Sequence, residues 1–131
     1  MPKGFFDILE IARDNVRRNP SIINRETLGI TKQYLQGLRN EVEEVVVEVK
    51  DLNEIYLTDE LSDIAWNYAV ILALLEYRGL ISSAEEVLEH GYDKYTERAP
   101  AFLEASEDMW DTVKAKQKEA LKQRHQETYG N

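Results

Sequence analysis

Two runs of acidic residues hold the chemistry that this sequence is equipped to do. Glu41, Glu44 and Glu48 form the first run. Glu60, Asp63 and Asn67 form the second, with Glu60 nineteen residues after Glu41. Within each run the spacing is three and then four residues, which on a helix sets all three side chains on one face. Two such stripes on facing helices make a pocket of converging oxygen ligands. Hard cations such as Mg²⁺ take ligands of this kind, and a cation held that way acts on phosphate groups.

The competing account of either run alone is a solvated helix face. On such a face glutamates usually pair with Lys or Arg four residues on. Here Val45 stands four after Glu41, Glu48 four after Glu44, Ile64 four after Glu60 and Asn67 four after Asp63. Like charges without a cation repel one another, and more strongly as they are buried. Glu60 and Asp63 abut the most apolar stretch of the chain, Ile64 to Leu75. Carboxylates crowded there rise in pKa unless a metal compensates.

The elements that position these runs read as helices. Phe5, Ile8, Leu9, Ile11, Ala12 and Val16 predict a helix over 5–18, ended by Asn19-Pro20. A connection over 20–30 follows. A long helix is expected from Thr31, its N-cap, to about Lys50, with Leu35, Leu38, Val42, Val45, Val49 and Leu52 as its inward seam. Thr58 is the expected cap of the next helix, whose buried side runs Leu61, Ile64, Ala65, Tyr68, Ile71, Leu72 and Leu75. Gly79 is its C-terminal stop. Ser82 and Ser83 stand three before Glu85 and Glu86, a capping-box signature. That fourth helix carries Val87, Leu88, Tyr92 and Tyr95 inward as far as Arg98, and Pro100 interrupts it. A fifth carries Phe102, Leu103, Ala105, Met109, Trp110 and Val113 before turning polar. The fold class is therefore all-α, a bundle of four or five helices in a single domain spanning 1–131.

Composition agrees. The 131 residues suit one domain, and 43% hydrophobic content is enough for a core. The net charge of −9 argues against a nucleic-acid binder, which needs a basic footprint. It leaves a nucleotide enzyme open, because a bound Mg²⁺ inverts the local field. The charge is uneven: 111–131 carries five Lys or Arg against three acids, and the rest eleven against twenty-two. That basic tail is either a solvated helix or one that lies on an acidic surface. With no cysteine there are no disulfides, thiolate ligands or thiol nucleophile. The expected setting is cytoplasmic: the N-terminal stretch lacks the long apolar core of a signal peptide, and no run is long enough to span a bilayer.

With Glu41-Val-Glu-Glu44 followed by Glu60-Leu-Ser-Asp63, the sequence resembles the MazG-like all-α nucleoside triphosphate pyrophosphohydrolases. The hallmark of that family is E-E-x-x-E followed by E-x-x-D on two antiparallel helices. Glu-Leu-Ser-Asp-Ile-Ala-Trp, leading into an apolar run, is similar to its second motif. The resemblance covers about 31–100, leaving 101–131 as a C-terminal helix and tail. Asn40 stands where the family has the first glutamate of its pair.

The resemblance implies that Glu41, Glu44, Glu60 and Asp63 bind Mg²⁺, with Mn²⁺ a possible substitute. It implies hydrolysis of a (deoxy)nucleoside triphosphate to the monophosphate and pyrophosphate, in the house-cleaning of nucleotide pools. Glu44 or Glu48 would orient the attacking water. Asn67, Lys94 and Arg98 are the substrate-binding candidates, the two cations lying after the second motif. A homo-oligomer, dimer or tetramer, is implied, with no nucleic acid or membrane partner. Phe5, Phe6 and the Trp110 helix are apolar surface for such contacts.

Other classes stay in view. A di-iron carboxylate bundle needs two E-x-x-H motifs; the residues three before His90 and His125 are Val87 and Lys122. A non-catalytic helical module that binds nucleotide, metal or a protein partner is the main alternative. A scaffold with solvent-facing acidic stripes is the third.

Overall fold

The computed structural model describes residues 3–103 and 107–130. Among the described residues there are six helices and no strand: α1 (Phe5–Arg18), α2 (Pro20–Ile23), α3 (Thr27–Glu48), α4 (Glu54–Tyr77), α5 (Ala84–Leu103) and α6 (Glu107–Tyr129). They fall into two compact units, Met1–Ala84 and Glu85–Asn131.

In the first unit α1 and α3 both pack on α4. Leu9, Ala12 and Val16, at three-four spacing, are the buried stripe of α1. Ile22 of α2 and Ile30 of α3 are also buried. The centre is α4, where six consecutive residues, Ala69 to Leu74, are buried. A helix covered on all sides must be apolar all round, which is what this stretch of sequence supplies.

The helix ends have local causes. The carboxylate of Asp7 accepts from the Gly4 N–H at 2.7 Å, and Arg17 and Arg18 sit in the last turn of α1, where the dipole favours cations. Asn19, before Pro20, is extended as a pre-proline residue must be. Its side chain accepts from the Ser21 N–H, and Pro20 takes the first position of α2. The end of α2 is closed from a distance: Arg78 Nη2 donates to the carbonyls of Ile22 and Ile23 and to that of Arg25 just beyond the helix. Arg13 and Glu76 join α1 to α4 as a two-pronged pair, with both N···O distances 3.0 Å. Gly79 ends α4 as expected, with φ +75° and the paired bonds Gly79 N–H to Glu76 and Leu80 N–H to Leu75.

Several boundaries differ from the sequence expectation. α3 begins at Thr27, and Thr31 lies buried within it, its hydroxyl turned back to the Thr27 carbonyl at 2.6 Å. α4 begins at Glu54, so Thr58 lies inside the helix instead of capping it. α5 continues through Pro100 to Leu103. Proline there removes one backbone hydrogen bond without ending the helix. Ala105 lies outside the described residues, as do the side chains of Phe102 and Leu103.

The largest difference is the face that α3 turns inward. The expected seam is not the one used: Leu35, Val42, Val49 and Leu52 are exposed, and only Leu38 and Val45 are half-buried. The face turned inward runs Ile30, Tyr34, Gly37, Glu41, Val45 and Glu48. Both stripes have the same three-four period, so periodicity alone does not choose between them.

The connection from α3 to α4 is five residues long, 49–53, as in a helical hairpin. Within it Leu52 adopts φ +57° while fully exposed. A left-handed leucine is disfavoured by about 1–2 kcal/mol, part of which glycine returns through its freer unfolded chain. Leu52→Gly is therefore expected to stabilise the protein by about 0.5–1 kcal/mol. The reading is a higher urea midpoint at unchanged m-value.

In the second unit Arg98 is a buried charge, 5% exposed. Its Nε donates to Gln117 Oε1, and its guanidinium lies over the rings of Tyr95 and Trp110. Gln117 in turn donates to the Lys94 carbonyl and to Glu97. Val87 and Leu88 are half-buried as expected, whereas Tyr92 and Tyr95 are exposed. From Lys118 onward α6 is exposed throughout. Among the described residues no helix is long and apolar enough to cross a membrane.

Candidate metal centre

The hairpin of α3 and α4 brings the two acidic runs together level by level. Oxygens of Glu41, Glu60 and Asp63 all lie within 4.8 Å of one another. Glu44 is in hydrogen-bonding reach of both Glu41 and Glu60. One turn away, Gly37 faces Asn67. Each turn down α3 is thus matched by one turn up α4: Gly37 with Asn67, Glu41 with Asp63, Glu44 with Glu60. An antiparallel pair keeps this correspondence because both helices have the same rise per turn.

The side chains around the cluster are held in different ways. Asn67 Nδ2 donates to the backbone carbonyl of Asp63 at 2.9 Å. Glu48 lies a turn beyond Glu44, and its Oε2 accepts from Asn53 Nδ2 at 2.6 Å, while the same nitrogen also caps the Glu48 carbonyl. Glu44 is the exposed member; Glu41, Glu60 and Asp63 are half-buried.

The electrostatics are those of an uncompensated anion cluster. Among the described residues no Lys or Arg pairs with Glu41, Glu44, Glu60 or Asp63, in contrast to Glu10, Asp14 and Glu76, which pair with arginines of α1. Burial pushes the Glu60 carboxyl up to about 7, helped by contact with Glu44 and by the charges of Asp63 and Glu41. Glu41 is also raised, first by its contact with Glu44, then by burial and by the charges of Glu44 and Asp63; its contact with Glu60 acts the other way.

One atomic detail tests whether a cation fits. Glu41 Oε2 and Glu60 Oε2 are both buried, and neither has a hydrogen-bond donor. Ionised carboxylates only accept, so these two oxygens cannot satisfy each other. Each oxygen is left to be satisfied by a proton on one of the carboxyls or by a bound cation. The donor set is entirely oxygen, which suits Mg²⁺ or Mn²⁺ and not a soft metal. The residues present fit a hard divalent ion.

The other sequence candidates, Lys94 and Arg98, belong to the second unit. They line a cleft of about 270 Å³ there with His90, Gln117, Leu121 and Arg124. Lys94 is half-buried, with its ammonium 5.5 Å from the Tyr95 ring centre. Trp66 and Tyr68 are half-buried, and Tyr68 packs on Phe5 at 5.8 Å between ring centres.

Two residues around the cluster escaped the sequence reading. Asn53 fixes Glu48 from the connection, which only the folded hairpin reveals. Gly37 did leave a signal: it is a glycine in a helix interior, one turn before the first carboxylate.

Comparison with known proteins gives one family. The model of the MazG nucleotide pyrophosphohydrolase domain matches residues 31–103, more than half of the chain and inclusive of both acidic runs. No curated protein and no solved structure matches.

Proposed function

This chain belongs to the MazG nucleotide pyrophosphohydrolase family, and on that premise we propose that it hydrolyses (deoxy)nucleoside triphosphates to the monophosphate and pyrophosphate in a divalent-metal-dependent reaction. The observation that carries the reading is the pair of buried, donorless oxygens on Glu41 and Glu60 within a cluster that also holds Asp63. Glu41, Glu44, Glu60 and Asp63 would hold Mg²⁺, or Mn²⁺ in its place. When bound, the metal supplies charge neutralisation on the phosphates and a more acidic water.

The chain's own residues have the remaining tasks. Glu44 is exposed and reaches both Glu41 and Glu60, so it is the first choice to orient the water that attacks the α-phosphorus and to take its proton. Glu48 is the second, fixed in place by Asn53. Water adds across the anhydride, its oxygen joining the α-phosphorus while pyrophosphate leaves. Asn67 borders the cluster and is the nearest candidate for the sugar or base. Lys94 and Arg98 are the proposed phosphate-side cations, Lys94 half-buried and Arg98 buried. The exposed stripe Leu35, Val42 and Val46 on α3, continued by Val49 just beyond it, with the exposed Phe6 on α1, supports a homo-oligomer, dimer or tetramer. A house-cleaning role on nucleotide pools follows from the family.

The test is product identity. A panel of ribo- and deoxyribonucleoside triphosphates is incubated with Mg²⁺ and the products are resolved by ³¹P NMR. Monophosphate and pyrophosphate in equal amounts are expected, with turnover lowered about 100-fold or more in Glu44→Gln. Orthophosphate as the product would overturn the reaction class. Intact nucleotide binding with no turnover by the wild type would instead favour a non-catalytic binding module.

A further inference from the structure

We propose that Gly37 is a positioning residue: by lacking a side chain it lets α3 approach the tethered amide of Asn67, and this contact sets the separation of the carboxylates one turn away. The inference rests on the metal-binding reading given above.

Gly37 lies well inside a 22-residue helix. Glycine there costs about 1 kcal/mol relative to alanine. Its backbone is not left-handed, since positive φ among the glycines occurs only at Gly79 and Gly130. Conformational freedom therefore does not explain it. Space does. A Cβ at residue 37 would stand 3.2 Å from Asn67 Oδ1, inside ordinary van der Waals distance. The helical glycines Gly29 and Gly91 provide the contrast, because a Cβ at either meets nothing within 4 Å.

Asn67 cannot give way without consequence. Its Nδ2 is bonded to the Asp63 carbonyl at 2.9 Å, so the amide is anchored to the turn that carries Asp63. Gly37 precedes Glu41 by one turn, and Asn67 follows Asp63 by one turn. A methyl group at residue 37 calls for a shift of a few tenths of an ångström at this contact. The tether holds the amide in place, so the shift falls on α3 and carries Glu41 with it. That movement opens the gap between Glu41 and Asp63. Metal coordination tolerates about 0.2 Å of such displacement, whereas the helix itself prefers alanine. The contact thus trades helix stability for the spacing of the site.

The experiment is a double-variant cycle on the full chain: wild type, Gly37→Ala, Asn67→Ala and the pair. Mn²⁺ affinity is read by electron paramagnetic resonance without nucleotide, and metal-free stability by urea unfolding. Gly37→Ala is expected to weaken Mn²⁺ binding about tenfold, the scale for residues that orient ligands, with metal-free stability equal to or above that of wild type. In the Asn67→Ala background the same substitution should change affinity less than twofold. A Gly37→Ala protein that binds Mn²⁺ like wild type overturns the inference. So does an equal loss in both backgrounds. Should Gly37→Ala fail to fold, the pair decides: folding together with the affinity of Asn67→Ala supports the contact, and failure to fold overturns it. A wild type that binds no Mn²⁺ overturns the metal reading itself, and this inference with it.

Discussion

Glu41→Gln and Asp63→Asn are each expected to weaken Mg²⁺ or Mn²⁺ binding by about 100-fold and to lower pyrophosphate release by at least as much, while raising the melting temperature of the metal-free protein. The opposite signs are the informative part. Glu41, Glu60 and Asp63 place their oxygens within 4.8 Å of one another, and no lysine or arginine among the described residues pairs with them. Removing one negative charge from such a group relieves repulsion, so the fold gains. The same removal deletes a ligand and a charge that the cation needs, so function loses. Sites that hold like charges together for chemistry commonly trade stability in this way. Isothermal titration and thermal scans in chelator, on the same preparations, read both quantities. Amide variants with unchanged metal affinity would assign these carboxylates to a solvated face.

The second large effect is on pH. Glu60 has its carboxyl raised from the ordinary 4.5 to about 7, chiefly by burial. Between those values the native state holds a proton that the unfolded chain has released. Stability therefore falls as pH rises across this window: the contribution of Glu60 is complete below 4.5 and is lost as the pH passes through about 7. A bound divalent cation reverses the trend, because metal and proton compete for the same oxygens. At a metal concentration a hundred times the dissociation constant, stabilisation is about 2.7 kcal/mol. It should be present above the Glu60 pKa and fade as the solution is acidified below it. Urea unfolding from pH 4.5 to 8, with Mg²⁺ and with chelator, gives two curves that diverge upward in pH. In Glu60→Gln the metal-free slope should flatten. A metal-free stability that rises across the window, equally in wild type and variant, would contradict the assignment.

That Glu41, Glu60 and Asp63 come together was legible in the sequence because carboxylate spacing is a local property. Three-four intervals fix a common face whatever the helix packs against. The side of α3 that meets α4 was not legible for the same reason. Leu35, Val42 and Val49 keep the interval as well as Gly37, Glu41 and Glu48 do, and hydrophobicity favours the wrong set. The face that meets α4 is the one that sets Glu41 opposite Glu60 and Asp63 and a glycine opposite Asn67, where close approach is needed. Helix starts failed differently. Thr31 and Thr58 have the chemistry of caps, but Glu26 and Asn53 precede the helices that form, since a threonine hydroxyl can also turn back within a helix, as that of Thr31 does. Arg98 shows a third limit. An arginine reads as surface until two aromatic rings and a glutamine are brought around it.

The turn-by-turn match of α3 with α4 also limits how the chain can change length. One residue inserted between Glu41 and Glu44, or between Glu60 and Asp63, rotates everything beyond it by about 100° and carries a carboxylate out of the cluster. The same residue inserted at Leu52 disturbs neither stripe, because it lies in the bend where the two helices exchange direction. Insertions and deletions are thus admissible at the tip of the hairpin and excluded along its arms, and the arms behave as a ruler whose markings are the acidic side chains.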